Sequence, residues 1–293
     1  MNGEEKKTTP TTIFLIIGAA LVIVLIIFAL FTSTPSTKTS ESTLTMKFNG
    51  NTTLKSNSYF NLNFTIINSY DIPLENLRVW VESGRLFTIS SNLLNNATTL
   101  RNFPNLPPKA NTTYFLGNVK VENIKSEMKN IPIVLKVLYN AKILKNFTIN
   151  VVNNNSLSFY GGVENMGIKE SNKINRLPLT VSFSFISKDF IFEEGKRNIA
   201  PFKIIIENVG KGACTDNINI KLQSNENLIC FFNNNKLTGS FEILTRPSNR
   251  IEIPCNYTIS YLKEKDFDTI PSNIQLSCNY LESKSFYFNI IPS

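Results

Sequence analysis

The chain of 293 residues has no histidine, one tryptophan, four cysteines and 12 glycines, and no charged residue between Ile13 and Phe31. Without histidine there is no Ser-His-Asp or Cys-His nucleophile system, no ordinary general base near neutral pH, and no His-ligated zinc or iron. Carboxylate pairs and Ser-Lys dyads survive that exclusion, but no motif places them. The glycines build no nucleotide site either. GKGACT around Gly210 lacks the Gly-x4-Gly-Lys-Ser/Thr spacing of a phosphate loop, and Gly161-Gly162 with Gly167 fits no dinucleotide fingerprint. The expectation is a protein that is not an enzyme and carries no cofactor and no metal. A carboxylate-dependent extracytoplasmic hydrolase is the residual enzymatic reading.

The uncharged run IFLIIGAALVIVLIIFALF, residues 13–31, is the longest apolar segment. As a helix rising about 1.5 Å per residue it covers roughly 29 Å, the thickness of a bilayer core. Lys6 and Lys7 precede it and the next basic residue is Lys38, so the positive-inside bias keeps residues 1–12 in the cytoplasm. The run is longer than the apolar core of a secretory signal, and Ala29-Leu30-Phe31-Thr32 puts Phe where cleavage wants a small residue. An uncleaved single-pass anchor is therefore expected. Residues 32–43 (TSTPSTKTSEST) read as a Ser/Thr-rich stalk.

The remaining residues, about 250, carry the Phe, Tyr, Ile and Val load of strands. The formal charge of +8 comes from scattered lysines rather than a dense basic run. With the chain outside the cell, nucleic acid is not an expected partner.

Short alternating segments mark an all-β architecture, and the pattern repeats at an offset of about 140 residues. LTMKF (44–48) is answered by LTVSF (179–183), and FTIINSYDIPLENLRVWV by FKIIIENVGKGACTDNINIKL. Asn68 then falls on Asn208 and Tyr139 on Tyr280. The closing segments IPIVLKVLYNAKILKNFTINVV and IPSNIQLSCNYLESKSFYFNIIPS read as hairpins. Six or seven strands per copy predict two tandem immunoglobulin-like β-sandwiches, 44–152 and 177–293, joined by an Asn- and Gly-rich linker, 153–176.

Each copy resembles the immunoglobulin-like repeats of archaeal and bacterial cell-surface proteins, in particular the CARDB-type, surface-layer-associated family. The resemblance rests on IINSYDIPLENLRV and IENVGKGACTDNINI, a Pro-led strand after each, and the closing hairpin. Asn208-Val209-Gly210 matches the family's Asn-x-Gly turn, whereas Asn68-Ser69-Tyr70 lacks the Gly. The resemblance implies adhesion, envelope scaffolding or assembly, with other envelope proteins or surface glycans as partners. The alternative is an accessory subunit of a secretion, pilus or transport complex.

Cys214, Cys230, Cys255 and Cys278 all lie in the second copy, and an even number outside the cell implies two disulfides. Of three connectivities, Cys214 with Cys230 and Cys255 with Cys278 is the expected one. Alternation turns Cys255 and Cys278 into the core, where a bridge between the two sheets is conceivable. Sequons occur at Asn51, Asn63, Asn96, Asn111, Asn146, Asn154 and Asn256, and those predicted in turns, Asn96, Asn111 and Asn154, are the candidate glycan acceptors. Trp80 falls on the face opposite Leu77, Val79 and Val81, an outward aromatic available as a contact residue for sugar or protein, or covered by a neighbouring loop or the other domain.

Overall fold

The computed structural model of the protein describes residues 44–90, 101–171, 177–194, 198–259 and 266–293. They belong to one compact unit, Ser42–Ser293. The anchor expected at 13–31, the stalk and the sequon at Asn96 lie outside the described residues. Among the described residues no helix is long and apolar enough to cross a membrane.

The unit is all-β, its strands following the period-2 burial that the sequence carries. The first half forms β1 (Thr45–Phe48), β2 (Thr53–Lys55), β3 (Tyr59–Ile67), β4 (Leu74–Ser83), β5 (Phe87–Ser90), β6 (Arg101–Leu106), β7 (Asn111–Val121) and β8 (Met128–Asn153). The short helical turns Asn154–Tyr160 and Val163–Asn165 then lead to β9 (Gly167–Glu170). The second half forms β10 (Leu179–Phe185), β11 (Ile191–Phe192), β12 (Ile199–Asn208), β13 (Ala213–Cys214) and β14 (Ile218–Gln223). It continues with β15 (Leu228–Phe232), β16 (Asn235–Thr238), β17 (Phe241–Thr245), β18 (Arg250–Thr258) and β19 (Phe267–Ile291).

Two outer sheets repeat one another: β1-β3-β7-β5 in the first half and β10-β12-β18-β15-β16 in the second. A third sheet, β17-β14-β19-β8-β4-β6, runs behind both. The sheets pack face to face as in a sandwich. Phe48, Phe60, Phe64 and Phe87 of the first outer sheet close on Phe286 and Phe288 of β19, with ring centroids 5.0–6.3 Å apart. On the other side Phe147 of β8 meets Phe183 of β10 at 4.6 Å.

The closing segments are not the hairpins that the sequence led us to expect. Each is one strand, β8 of 26 residues and β19 of 25, paired antiparallel from Val152↔Phe267 through Tyr139↔Tyr280 to Ile131↔Phe288. The alternation stays in phase through both supposed turns. Ile133, Leu135, Val137, Tyr139, Ala141, Ile143, Phe147, Ile149 and Val151 are all buried, and so are the even positions from Ile270 to Glu282. A two-residue loop would have inverted that phase. At about 3.3 Å per residue each strand extends roughly 85 Å, far beyond an ordinary strand.

Within the expected linker, the described residues 153–171 carry two helical turns and a strand. β8 ends against Phe267, and β9 pairs back along Phe147–Asn150 of β8 toward the start of β10. Lys145, whose side chain stands in the buried register, pairs there with Glu170 of β9 at 2.6 Å. A segment that looked like a connector by composition thus adds a strand and neutralises a charge.

Candidate functional site: a buried carboxylate where the halves meet

The pairing of β8 with β19 makes Tyr139 and Tyr280, equivalent residues of the two halves, direct neighbours at the middle of the third sheet. Their rings stand 5.6 Å apart, and Tyr70 from the turn after β3 joins them at 6.3 Å from Tyr139. Two residues past Tyr280, alternation points Glu282 into the same interior. It is the only charged side chain that is buried among the described residues, at 3% exposure.

A carboxylate taken from water is costly unless hydrogen bonds replace the solvent. Here Tyr70 Oη and Tyr139 Oη each donate to Glu282 Oε1 at 2.8 Å. The Leu44 backbone N–H, at the start of the folded unit, donates to it as well, and the Lys211 ammonium attracts its charge. Burial still dominates and raises the Glu282 pKa above the ordinary glutamate value. Burial and the facing carboxylate push both tyrosine hydroxyls well above theirs.

Tyr280 turns the other way. Its Oη donates to Asn208 Oδ1 at 2.6 Å and accepts from the Gly212 N–H at 3.2 Å. Asn208 also holds its own turn, accepting from Gly210 N–H and donating to Gly212 C=O. Asn68 does the same in the first half, accepting from Tyr70 N–H and donating to the carbonyls of Ile72, Leu106 and Pro107. The paired asparagines read from the sequence are thus turn-locking residues, Asn68 fully enclosed and Asn208 half-buried.

The pattern is approximately two-fold and locally broken. Ala141 corresponds to Glu282, and Gly210 to Tyr70. A Cβ added at Gly210 would collide with Tyr280 Oη and come within 3.1 Å of Tyr70 Oη. One half supplies bulk where the other leaves room. Chemically the cluster is an enclosed carboxylate with phenol donors, suited to fixing the halves against each other.

The disulfides need correction. Cys214 bonds Cys278 and Cys230 bonds Cys255, in place of the expected pairing. The reason is strand adjacency: β13 pairs with β19 beside Tyr280, and Cys230 of β15 stands directly opposite Cys255 of β18. All four cysteines are buried, but each bridge joins neighbouring strands of one sheet rather than crossing between sheets.

Trp80 lies on the outer face of β4, opposite Lys136 of β8 and half-buried. Its Nε1–H reaches Glu82 Oε1 at 3.5 Å, and Lys136 contacts the same oxygen at 2.6 Å, which holds the Glu82 pKa below the usual value. Asn111, at the start of β7, and Asn154, at the start of the helical turn after β8, are both exposed. Asn111 pairs with Ile67, beside the Asn68 turn, while Trp80 and Asn154 lie on other elements, so the residues singled out from the sequence do not converge on one site. Glu282 was not singled out from the sequence, although a charge in phase with Ile274, Leu276, Cys278 and Tyr280 is the signal that could have found it.

No family model matches the chain, and no curated protein matches it in sequence. Among solved structures it is similar to the secreted serine protease VesC from Vibrio cholerae, at 12% identity over 85% of this chain and 51% of that one, with a TM-score of 0.22. Red sea bream transglutaminase gives 8% identity, 85% and 31% coverage and a TM-score of 0.20. The Escherichia coli alpha-2-macroglobulin gives 9%, 86% and 17%, also at 0.20. The chain spans about half or less of each of these proteins, and likenesses of this size carry no argument about function.

Proposed function

We propose that the protein is a single-pass, membrane-anchored surface protein, cytoplasmic at its N-terminus. In this reading it presents two immunoglobulin-like sandwiches of the CARDB type outside the cell, for adhesion, envelope scaffolding or assembly and without catalysis. The observation that carries the reading is the combination of the uncharged run 13–31 with a folded unit held by two buried disulfides, since such bridges persist in oxidising compartments. The long continuous strands support a spacer role, because a sheet shared by both halves resists bending between them.

A second reading, an accessory subunit of a membrane complex, is favoured by the apolar side chains that the surface exposes beyond β8. Phe159 is 86% and Ile186 64% exposed, and Tyr160, next to Phe159 in the chain, stacks on Phe267 at 4.4 Å. Larger exposed apolar groups of this kind mark contact surfaces.

The test is protease shaving of intact cells followed by non-reducing mass spectrometry. Release of the chain beyond about Thr32, with Cys214–Cys278 and Cys230–Cys255 linked peptides, is the expected result. Protection of the unit in intact cells, or free thiols, sinks the surface reading. Co-purification after gentle solubilisation then separates the two roles, a stoichiometric partner pointing to the subunit.

A further inference from the structure

The inner faces of β8 and β19 divide at their midpoints. Residues 133–138 of β8 pair with β4 of their own half, but residues 143–152 cover the outer sheet of the second half through Phe147 and Phe183. Reciprocally, residues 273–277 of β19 pair with β14 of their own half, whereas Phe286 and Phe288 fill the core beneath Phe48, Phe60, Phe64 and Phe87. Each half therefore completes its sandwich with the last strand segment of the other.

We propose that the two halves hold their closing strands in reciprocal exchange, hinged at Asn140-Ala141-Lys142 and Leu281-Glu282-Ser283, with closed hairpins as the alternative state of the same chain. The proposal goes beyond the surface reading and does not depend on it. Three residues is the loop length that fits. A three-residue loop pairs Tyr139 with Ile143 and Tyr280 with Lys284, which keeps odd positions of β8 and even positions of β19 facing inward, as now. Closing both hairpins would thus rebuild each half from its own residues without turning any core side chain outward.

Turn chemistry opposes that closure. The favoured three-residue loop ends on a residue in the left-handed region, normally Gly, and these hinges offer Lys142 and Ser283. The extended alternative costs nothing in backbone strain, and at the crossover it gives Glu282 the hydroxyls of Tyr70 and Tyr139. The same hinge residue that caps the exchange in the buried cluster would sit at a loop tip if the hairpin closed. Exchange is therefore selected by two missing glycines and by one carboxylate enclosed at the hinge.

The experiment uses the full chain in detergent with two cysteine pairs added separately to the native four. Leu144→Cys with Gln275→Cys joins residues that face each other across β8 and β19. Leu138→Cys with Leu144→Cys joins residues about 20 Å apart along one extended strand, which become cross-strand neighbours only in a closed hairpin. In the monomer fraction, linked peptides read by non-reducing mass spectrometry should show the first pair bridged and the second at least tenfold less so. Introducing Lys142→Gly and Ser283→Gly together should invert that ratio.

Equal bridging of both pairs with native hinges overturns the exchange as the dominant state. Failure of the glycine variant to gain any Leu138–Leu144 bridge, while remaining folded, overturns the assignment of the hinges. Should that variant not fold, Lys142→Gly alone, an exposed substitution on one hinge, takes its place. It should raise the closed-pair bridge at least threefold, and an unchanged ratio counts against the proposal.

Discussion

Asn68-Ser69-Tyr70 and Asn208-Val209-Gly210 occupy the same place in the two halves and hold it with the same asparagine bonds, yet one ends in a phenol and the other in a hydrogen atom. The contrast recurs two residues beyond the paired tyrosines, where one half has Ala141 and the other Glu282. A repeated sequence that shares one interior cannot stay symmetric at its axis, because two copies of a large side chain would claim the same space. The first half supplies Tyr70, the second supplies Glu282 and room for both. Divergence at the axis is therefore what joins two copies into one unit, and it also explains why the Asn-x-Gly pattern is complete only in the second half.

The disulfides separate the halves most strongly. Only the second half has them, and Cys214–Cys278 spans 64 residues against 25 for Cys230–Cys255. Loop-closure entropy assigns about 4 kcal/mol to the first and about 3.5 kcal/mol to the second. Removing Cys214 and Cys278 together, as Ala, should lower the denaturant midpoint more than removing Cys230 and Cys255. A half that needs neither bridge, the first, should then be the last to lose its amide protection in hydrogen exchange. Loss of protection everywhere at once would show instead that the shared sheet makes the halves one cooperative unit.

Filling the vacant place at the axis is the next largest effect. Gly210→Ala forces a Cβ against Tyr280 Oη and should destabilise by about 3 kcal/mol, the upper end for overpacking. Shortening Tyr280 to Phe in the same chain removes the opposing oxygen, so the two changes should be less costly together than their sum. Strict additivity would mean that the space at Gly210 is not set by Tyr280.

The two asparagines test the comparison more finely. Asn68 is fully buried with four partners, whereas Asn208 has three and is half-exposed. Truncating Asn68 to Ala strands more buried backbone groups, so it should cost about 3 kcal/mol against about 2 kcal/mol for Asn208. Equal losses in chemical unfolding would reject the asymmetry.

How much of this the sequence carried can be judged residue by residue. The all-β class, the repeat and the equivalence of Asn68 with Asn208 and Tyr139 with Tyr280 follow from alternation and spacing, which are local. The exchange does not, because an unbroken alternation is common to a continuous strand and a three-residue loop. Only the missing glycine at Lys142 and Ser283 distinguishes them. The disulfide pairing failed for a related reason: sequence proximity made Cys230 a neighbour of Cys214, but β15 finds its partner in β18, a non-local choice made by sheet order. Glu282 was visible as a charge in an apolar phase, though its partner Tyr70 comes from the other half and no spacing links them.

The smallest expected effect is the most specific to the axis. Burial raises the folded-state pKa of Glu282 above its unfolded value, against the pull of Tyr70, Tyr139, the Leu44 N–H and Lys211. At low pH the side chain is protonated in both states and contributes no penalty. As pH climbs past the ordinary glutamate range, about 4.3, the unfolded chain ionises first and gains stability that the folded chain does not. The native state should therefore lose stability as pH rises toward the raised folded value. Glu282→Gln keeps an acceptor for the two phenols and cannot ionise, so its unfolding midpoint should drift less between about pH 4 and pH 8 and equal or exceed that of the native chain at the upper end. Measured side by side, the two midpoints should diverge with pH. A constant gap would show that Glu282 carries its charge equally well inside and out, the hydrogen bonds from Tyr70 and Tyr139 replacing water in full.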